Sequence, residues 1–298
     1  MDDASAYTTG FLGRPLIGCV SGGRSANLVR LTIASSALKI ARKPMNKFWI
    51  WLNQLGSPPN FWAWSQPWLR GSLALALITL AIGLYGGLVL APADYLQGES
   101  FRIIYIHVPC AWMSLFVFVF MAVQGAAALI WRIKLCEIFV VAAAPTGAIF
   151  TAVTLITGML WGKPTWGTYW SWDARLTSEL VLLFLYLGII ALYHSYSEHR
   201  AGARAAAILA LIGVVNVPII HYSVLWWNTL HQGSTVSLTG GSKMHISMLW
   251  PLLVLTLASK LYWIAVLLLK SRVMMLKLER GKTWARNVLA ANERTLSV

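Results

Sequence analysis

Long apolar runs alternate with short polar segments along this chain. Six runs are long enough for a helix to cross about 30 Å of hydrocarbon, which takes about 20 residues. They cover approximately residues 70–90, 104–131, 138–160, 176–194, 204–225 and 248–270. Because lipid offers no hydrogen-bond partners to a bare backbone, each run is expected to be helical. The pattern therefore predicts an all-α integral membrane protein with six transmembrane helices.

Composition supports this fold class. Of the 298 residues, 58% are hydrophobic and 11% are charged, and the mean hydropathy is +0.64. A soluble domain has about 45–50% apolar and about 25% charged residues, so a water-soluble or disordered chain is excluded. The three cysteines (Cys19, Cys110 and Cys136) form no CxxC pair and no CxxCH motif, and neither disulfides nor a Cys-bound metal is expected.

The net charge of +14 is a topology signal. Lys and Arg are concentrated in the N-terminal segment, in residues 132–137 and 195–203, and in the tail after Lys270. The intervening loops 91–103, 161–175 and 226–247 hold only Arg102, Lys163, Arg175 and Lys243. The positive-inside rule then predicts both termini in the cytoplasm and these three loops on the outer face. Nucleic-acid binding is not expected, because no segment is polar enough to form such a domain.

The ends of the chain differ from its centre. Residues 1–46 form a basic N-terminal extension, interpreted as a disordered or transit-like arm or as an over-extended gene start with Met45 as the true first residue. Residues 47–270 form the six-helix membrane domain. Residues 271–298 form a basic tail that is predicted to lie in the cytoplasm.

Two histidines, His107 and His231, are predicted on the outer face. A single histidine at a membrane interface is usually a hydrogen-bonded anchor. Two imidazoles from different helices, however, can bind a haem iron from opposite sides. Zinc is the alternative, and it would need further ligands such as His221 or His245. His221 itself is expected to belong to the fifth helix near its outer end, where its role would be packing.

The segment 161–175 concentrates aromatic residues between the two histidines in sequence. Four tryptophans and a tyrosine fall within residues 161–172, interrupted by Gly and Pro. An interfacial aromatic belt is one interpretation. The other is a shelf for a flat apolar ligand, because an extended Trp170-Ser171-Trp172 places both indoles on one side. Arg175, Lys163 or Arg102 would then pair with carboxylates of that ligand.

Two charges are predicted inside the spans, Glu179 in the fourth helix and Lys260 in the sixth. Charges within a membrane are costly and are often functional. Glu179 is expected to support Arg175 or to form a hydrogen bond with a neighbouring helix. Pairing of Lys260 with Glu179 is an open alternative.

The run WGKPTWGTYWSWDARLTSELVLLFLYLG resembles the WWD segment of haem-handling proteins. With HVPCAWM before it and VVNVPIIHYSVLWWNTLHQGSTV after it, the chain is most similar to the haem exporter protein C family, also called cytochrome c maturation protein C. The resemblance covers residues 47–270. It implies a WWD segment that binds haem b on the periplasmic face and axial ligation of the iron by two histidines. The implied axial ligands are His107 and His231, and the implied haem-contacting residues are Trp161, Trp166, Trp170, Trp172 and Asp173.

The resemblance also implies a cellular role. The family presents haem to a periplasmic haem chaperone (cytochrome c maturation protein E), together with a small single-span partner (cytochrome c maturation protein D) and ABC-type subunits A and B. It implies a bacterial inner membrane, with the mitochondrial inner membrane as the alternative. The expected role is binding and transfer, not enzymatic catalysis. A transmembrane haem transporter and a haem lyase that forms the haem–chaperone bond itself remain the rival interpretations.

Overall fold

The computed structural model describes residues 54, 56–231, 236–237, 241–242 and 244–296. The N-terminal extension predicted for residues 1–46 lies outside these residues. Eight α-helices follow one another in the part of the chain that is described. They are α1 (Pro58–Tyr85), α2 (Ile104–Trp131), α3 (Lys134–Trp166), α4 (Ala174–His194), α5 (His199–Gly213), α6 (Asn216–Trp226), α7 (Ile246–Glu279) and α8 (Thr283–Leu296).

Short elements complete the chain. A π-helical turn at Gly86–Leu90 extends α1, and a 3-10 turn at Glu99–Ile103 leads into α2. Between α6 and α7, strand β1 (Val236–Ser237) pairs antiparallel with strand β2 (Gly241–Ser242).

Six helical stretches of the described chain are long and apolar enough to cross a membrane. They are Pro58–Leu90, Glu99–Trp131, Lys134–Trp166, Ala174–His194, His199–Trp226 and Ile246–Glu279. Each contains one of the six predicted segments, so the prediction of an all-α protein with six spans is confirmed. The first stretch begins well before residue 70, because the tryptophan-rich segment that precedes the apolar run is helical as well.

The fifth span is divided into two helices. Pro218 has no amide hydrogen, so it cannot donate to the carbonyl of Val214 as a continuous helix requires. The amide of Val217 donates to that carbonyl instead, at 3.0 Å. In the break, the Asn216 side-chain amide donates to the carbonyl of Ser178 on α4 at 2.9 Å. This bond fixes the start of α6 on α4, with which α6 makes most of its contacts.

Helix α3 is the central helix of the bundle, because 72% of its most apolar stretch is buried. It approaches α4 closely at Gly147, where an added Cβ would lie 2.2 Å from Cε1 of Tyr186. The Tyr186 hydroxyl, fully buried, donates to the carbonyl of Ser114 on α2 at 2.7 Å. The absence of a side chain at Gly147 thus allows Tyr186 to connect three helices.

Helix α7 is longer than a bilayer is thick. Its 34 residues span about 51 Å, against about 30 Å of hydrocarbon. Near its C-terminal end the buried Arg272 donates to Ser65 Oγ of α1 at 2.7 Å and lies 3.6 Å from the Trp62 ring centroid. These contacts join the two ends of the six-span domain, and the described part of the basic tail continues as helix α8.

Candidate functional site

A cavity of about 280 Å³ lies between α2, α3, α4 and α6. Ligand pockets usually measure about 300–1,000 Å³, so this cavity is slightly smaller than that range. Its walls are mostly apolar, and both His107 and His231 line it. The two histidines that the sequence places far apart therefore share one space.

His107 is the fourth residue of α2 and is 7% exposed. Its Nδ1 lies 3.0 Å from the Thr157 hydroxyl on α3. That hydroxyl donates its own hydrogen to the carbonyl of Val153 at 2.6 Å, so it accepts a hydrogen bond from Nδ1. This network assigns the proton to Nδ1 and leaves Nε2 of His107 with a lone pair. A metal-binding histidine is typically oriented in this way by its other nitrogen.

The His107 and His231 rings are suitably spaced for two axial ligands. Their centroids are 6.4 Å apart, and their planes are inclined by 31°. Two imidazoles on opposite sides of one metal ion have centroids about 6.3 Å apart, from metal–nitrogen bonds of about 2.0–2.1 Å and about 1.1 Å from nitrogen to ring centre. Gly158 makes room for the first ring, since an added Cβ there would lie 3.1 Å from His107 Cε1.

Two of the predicted tryptophans form the cavity wall. Trp161 contacts the His107 ring at 5.6 Å between centroids, and Trp166 contacts the His231 ring at 6.2 Å. The Trp161 indole donates to the Gln97 side chain at 2.8 Å. Each tryptophan therefore restrains one histidine.

The segment 161–175 was expected to be a loop throughout, and for its first six residues this is wrong. Helix α3 continues to Trp166, because Gly167 adopts a left-handed conformation (φ 78°) and ends the helix there. Pro164 lies within that last turn. Trp161 and Thr165 consequently lie one turn apart on the cavity-facing side of a helix.

Trp170 and Trp172 lie outside the cavity wall. They follow in the extended part of the segment, where their centroids are 5.4 Å apart and their planes are inclined by 79°. The indoles meet edge to face and do not form the flat shelf that was expected. Trp172 is 78% exposed, so it presents an aromatic surface beside the cavity.

Asp173 connects two parts of the site through backbone amides. It is the N-cap of α4, where Oδ1 accepts from Leu176 N at 2.8 Å. Oδ2 accepts from Leu230 N at 3.3 Å. Since Leu230 directly precedes His231, the Asp173 carboxylate fixes the loop that carries this histidine.

Of the three basic residues considered for anionic groups, only Arg175 lines the cavity. Arg102 pairs with Glu99 and donates to the Gly87 carbonyl at 2.9 Å. Lys163 donates to the Gly167 carbonyl at 3.1 Å. Both side chains thus bind backbone carbonyls away from the cavity. Arg175 is therefore the basic side chain that lines it.

Glu179 lies one turn below Arg175 and also lines the cavity. Its Oε1 accepts from Ser114 Oγ of α2 at 2.8 Å, so the expected interhelical hydrogen bond is present. Pairing with Lys260 is wrong. Lys260 is exposed and lies over the Phe116 ring at 5.7 Å, because its long side chain reaches away from the bundle.

The other two outer histidines have different environments. His221 was expected to pack inside the bundle, but it is exposed and lines the cavity. His245 caps α7, where its Nδ1 accepts from Ser247 N at 3.3 Å. Among the described residues, no group of three or more His, Cys, Asp and Glu side chains is arranged to hold a metal ion.

Sequence reasoning missed Thr157, Gly158 and Gln97. Thr157 and Gly158 precede Trp161 by four and three residues, so all three lie on one face of a helix. A prediction that α3 continues to Trp161 would have found them. Gln97 had no such signal, because its contact with Trp161 joins residues 64 positions apart.

The fold and the cavity define a six-span membrane protein with a histidine- and tryptophan-lined ligand site at one end of its bundle. The family model described as Heme exporter protein C matches residues 51–286. Heme exporter protein C of Escherichia coli strain K12 is 46% identical over 245 residues, which cover 81% of this chain and 97% of that protein. The Bradyrhizobium diazoefficiens protein of the same name is 48% identical over 218 residues, covering 72% of this chain and 81% of its own length.

A third relative is the putative cytochrome c biosynthesis ccmC-like mitochondrial protein of Marchantia polymorpha. It is 49% identical over 172 residues, which cover 58% of this chain and 72% of the relative. The chain belongs to the heme exporter protein C family. With its six spans and bacterial relatives it is a multi-pass protein of the bacterial inner membrane, and the mitochondrial relatives fit the alternative location.

Proposed function

We propose that this protein holds haem b in the cavity, with the iron between His107 and His231, and presents it for transfer in cytochrome c maturation. The observation that carries the proposal is the pair of imidazoles 6.4 Å apart within one cavity. Family membership supports haem as the cargo, because its curated members are named heme exporters.

The cavity offers matching chemistry for each part of haem. The Trp161 and Trp166 indoles supply apolar surface for the porphyrin. The Arg175 guanidinium supplies a charged hydrogen-bond donor for a propionate. Haem would bring the iron, and the orientation of His107 through Thr157 would keep Nε2 directed to it. Two nitrogen ligands would leave the iron no open position for oxygen while haem waits.

We further propose that the cavity faces the periplasm. The distribution of Lys and Arg supports this orientation, since both termini and the loops at the opposite end are the more basic set. In this arrangement the six-helix domain 47–270 handles haem, and the tail 271–298 lies in the cytoplasm. The acceptor would be the periplasmic haem chaperone of the pathway. The small single-span maturation protein D and the ABC-type subunits A and B would be the membrane partners.

A spectrum of the purified protein tests the site. We expect haem-loaded protein to show the low-spin Soret and visible bands of bis-imidazole iron. His107→Ala and His231→Ala should each lose haem or shift it to a high-spin spectrum. His194→Ala is a matched control, because that histidine is exposed and lies outside the cavity. If both cavity variants kept the wild-type haem content and spectrum, the proposed ligands would be wrong.

Labelling tests the orientation. In a variant without native cysteines, Lys163→Cys should react with a membrane-impermeant maleimide added to spheroplasts. Lys282→Cys should react only after the membrane is opened. The reverse pattern would contradict the proposed orientation and leave the haem ligands untouched.

A further inference from the structure

One face of α6 borders the cavity near its outer surface. His221, Val224 and Leu225 have the spacing of one helix face, and all three line the cavity. Leu225 is 78% exposed, and His221 is exposed as well. A residue that lines a cavity while exposed on the outside of the protein marks an opening, so the cavity opens beside α6.

The other side of this opening is α2. Trp112 lines the cavity and is 36% exposed. Helix α6 packs chiefly on α4 and touches α2 only slightly. The separation follows from the break in the fifth span, where Asn216 fixes the start of α6 to α4. An opening bordered by Trp112, His221, Val224 and Leu225 is called the lateral opening below.

The lateral opening lies at membrane depth. Both of its walls belong to stretches that are long and apolar enough to cross the membrane. Trp112 lies eight residues into α2, about 12 Å along the helix from Ile104. His221 lies five residues before the end of α6, about 7.5 Å from it. Both distances fall within one leaflet, so the opening faces lipid acyl chains on the side of the site.

His221 is the imidazole side chain that borders this opening. Its ring packs edge-on against Tyr222 at 4.7 Å between centroids. Within the described part of the chain, no hydrogen bond to its ring nitrogens is found, in contrast to His107, which Thr157 orients. On the described elements, no hydrogen-bond partner therefore competes with a metal for the His221 imidazole.

We propose that haem enters the cavity sideways from the lipid leaflet through the lateral opening, and that His221 binds its iron on the way in. This proposal rests on the haem-binding function proposed above and extends it to the route. The apolar macrocycle would pass from acyl chains to Trp112 and Leu225 without meeting water. The iron–nitrogen bond to His221 breaks as the bond to His107 or His231 forms. The exchange transfers no electron and needs no other reactant.

Loading kinetics of the full chain in nanodiscs test the route. Protein without haem is mixed with haem-loaded phosphatidylcholine liposomes in a stopped-flow spectrometer, at liposome concentrations where the wild-type rate no longer rises. Under that condition, encounter between liposomes and nanodiscs no longer limits the rate, and the Leu257→Trp control shares every step that delivers haem to the nanodisc. Val224→Trp places a large indole in the lateral opening, and His221→Ala removes only the imidazole. Leu257→Trp is the matched control, because Leu257 is 47% exposed on α7 and does not line the cavity.

We expect Val224→Trp to slow loading at least tenfold and Leu257→Trp to leave it unchanged. His221→Ala should load several-fold more slowly and should lose an early spectral intermediate. Its final low-spin spectrum should equal that of the wild type, because His107 and His231 are intact. Should Val224→Trp fail to fold, Leu225→Trp replaces it, because Leu225 borders the same opening and is 78% exposed.

A wild-type loading rate in Val224→Trp, or equal slowing in Leu257→Trp, would overturn the lateral route and leave the haem site standing. A wild-type rate in His221→Ala would overturn the role of His221. A wild-type protein that never acquires the bis-imidazole spectrum would overturn the haem site, and the route with it. The two failures are thus distinguishable by the final spectrum.

Discussion

Asp173→Asn separates the two structural tasks of one carboxylate. The Oδ1 atom caps α4 through Leu176 N, and Oδ2 holds Leu230 N beside His231. Asparagine is as good an N-cap as aspartate, so its carbonyl oxygen can keep the first bond. Its amide nitrogen is a donor and cannot accept from Leu230, so the second bond is lost.

The expected magnitudes follow from these two bonds. A hydrogen bond to a charged group contributes about 1.5–3 kcal/mol, and at 3.3 Å this one belongs at the lower end. Since about 1.4 kcal/mol corresponds to tenfold in affinity, Asp173→Asn should weaken haem binding about tenfold. Its melting temperature should fall by no more than the loss of this one bond allows, and by less than that of Asp173→Ala. Asp173→Ala loses the cap as well, which costs about 0.5–2 kcal/mol of stability in addition.

Haem titration by absorbance gives the affinity, and thermal unfolding in detergent gives the stability. Glu198→Gln is the control, because it removes one exposed carboxylate at the start of α5, remote from the cavity lining. Wild-type haem affinity in Asp173→Asn would refute the reasoning, because it would show that the carboxylate acts only as a helix cap. Direct contact with haem would instead predict equal losses for Asn and Ala.

Three further changes have defined outcomes. Gly147→Ala should lower the free energy of unfolding by about 1–3 kcal/mol through overpacking, as measured by thermal unfolding. Gly188→Ala is the control and should not lower it, because the added Cβ would lie 3.5 Å from its nearest neighbour. Gly158→Ala brings a methyl group 3.1 Å from His107 Cε1, so the electron paramagnetic resonance g-values of the bound ferric haem should shift, and unchanged values would contradict that contact. Glu179→Gln keeps an acceptor for Ser114 and should melt near the wild type, while Glu179→Ala should lose about 1–3 kcal/mol; similar melts for both would show that the bond is unimportant.

The six spans were predictable because lipid imposes a single requirement on every crossing segment. A run of apolar residues of sufficient length must be helical, whatever packs beside it. The break in the fifth span was harder to predict. The run 204–225 was predicted as one helix, although Pro218 within it cannot donate a backbone hydrogen bond. The bond from Asn216 to Ser178, which positions α6, joins residues 38 positions apart and has no local signal.

The candidate site was partly predictable for a related reason. His107 and His231 lie at the ends of apolar runs, so topology alone placed them on one face. The division of the tryptophans was not predictable, since it depends on where α3 ends. Gly167 ends the helix, and it thereby assigns Trp166 to the cavity wall and Trp170 to the extended segment outside it.

The two histidines of the proposed haem site are held in different ways. His107 belongs to a transmembrane helix and is held by Thr157 on another, so its position is fixed by the bundle. His231 belongs to a loop, which the contact of its ring with Trp166 and the bond of Leu230 to Asp173 help to position. Loops open at lower free-energy cost than packed helices. If haem binds as proposed, His231 would therefore be the first of the two ligands to give way to an acceptor.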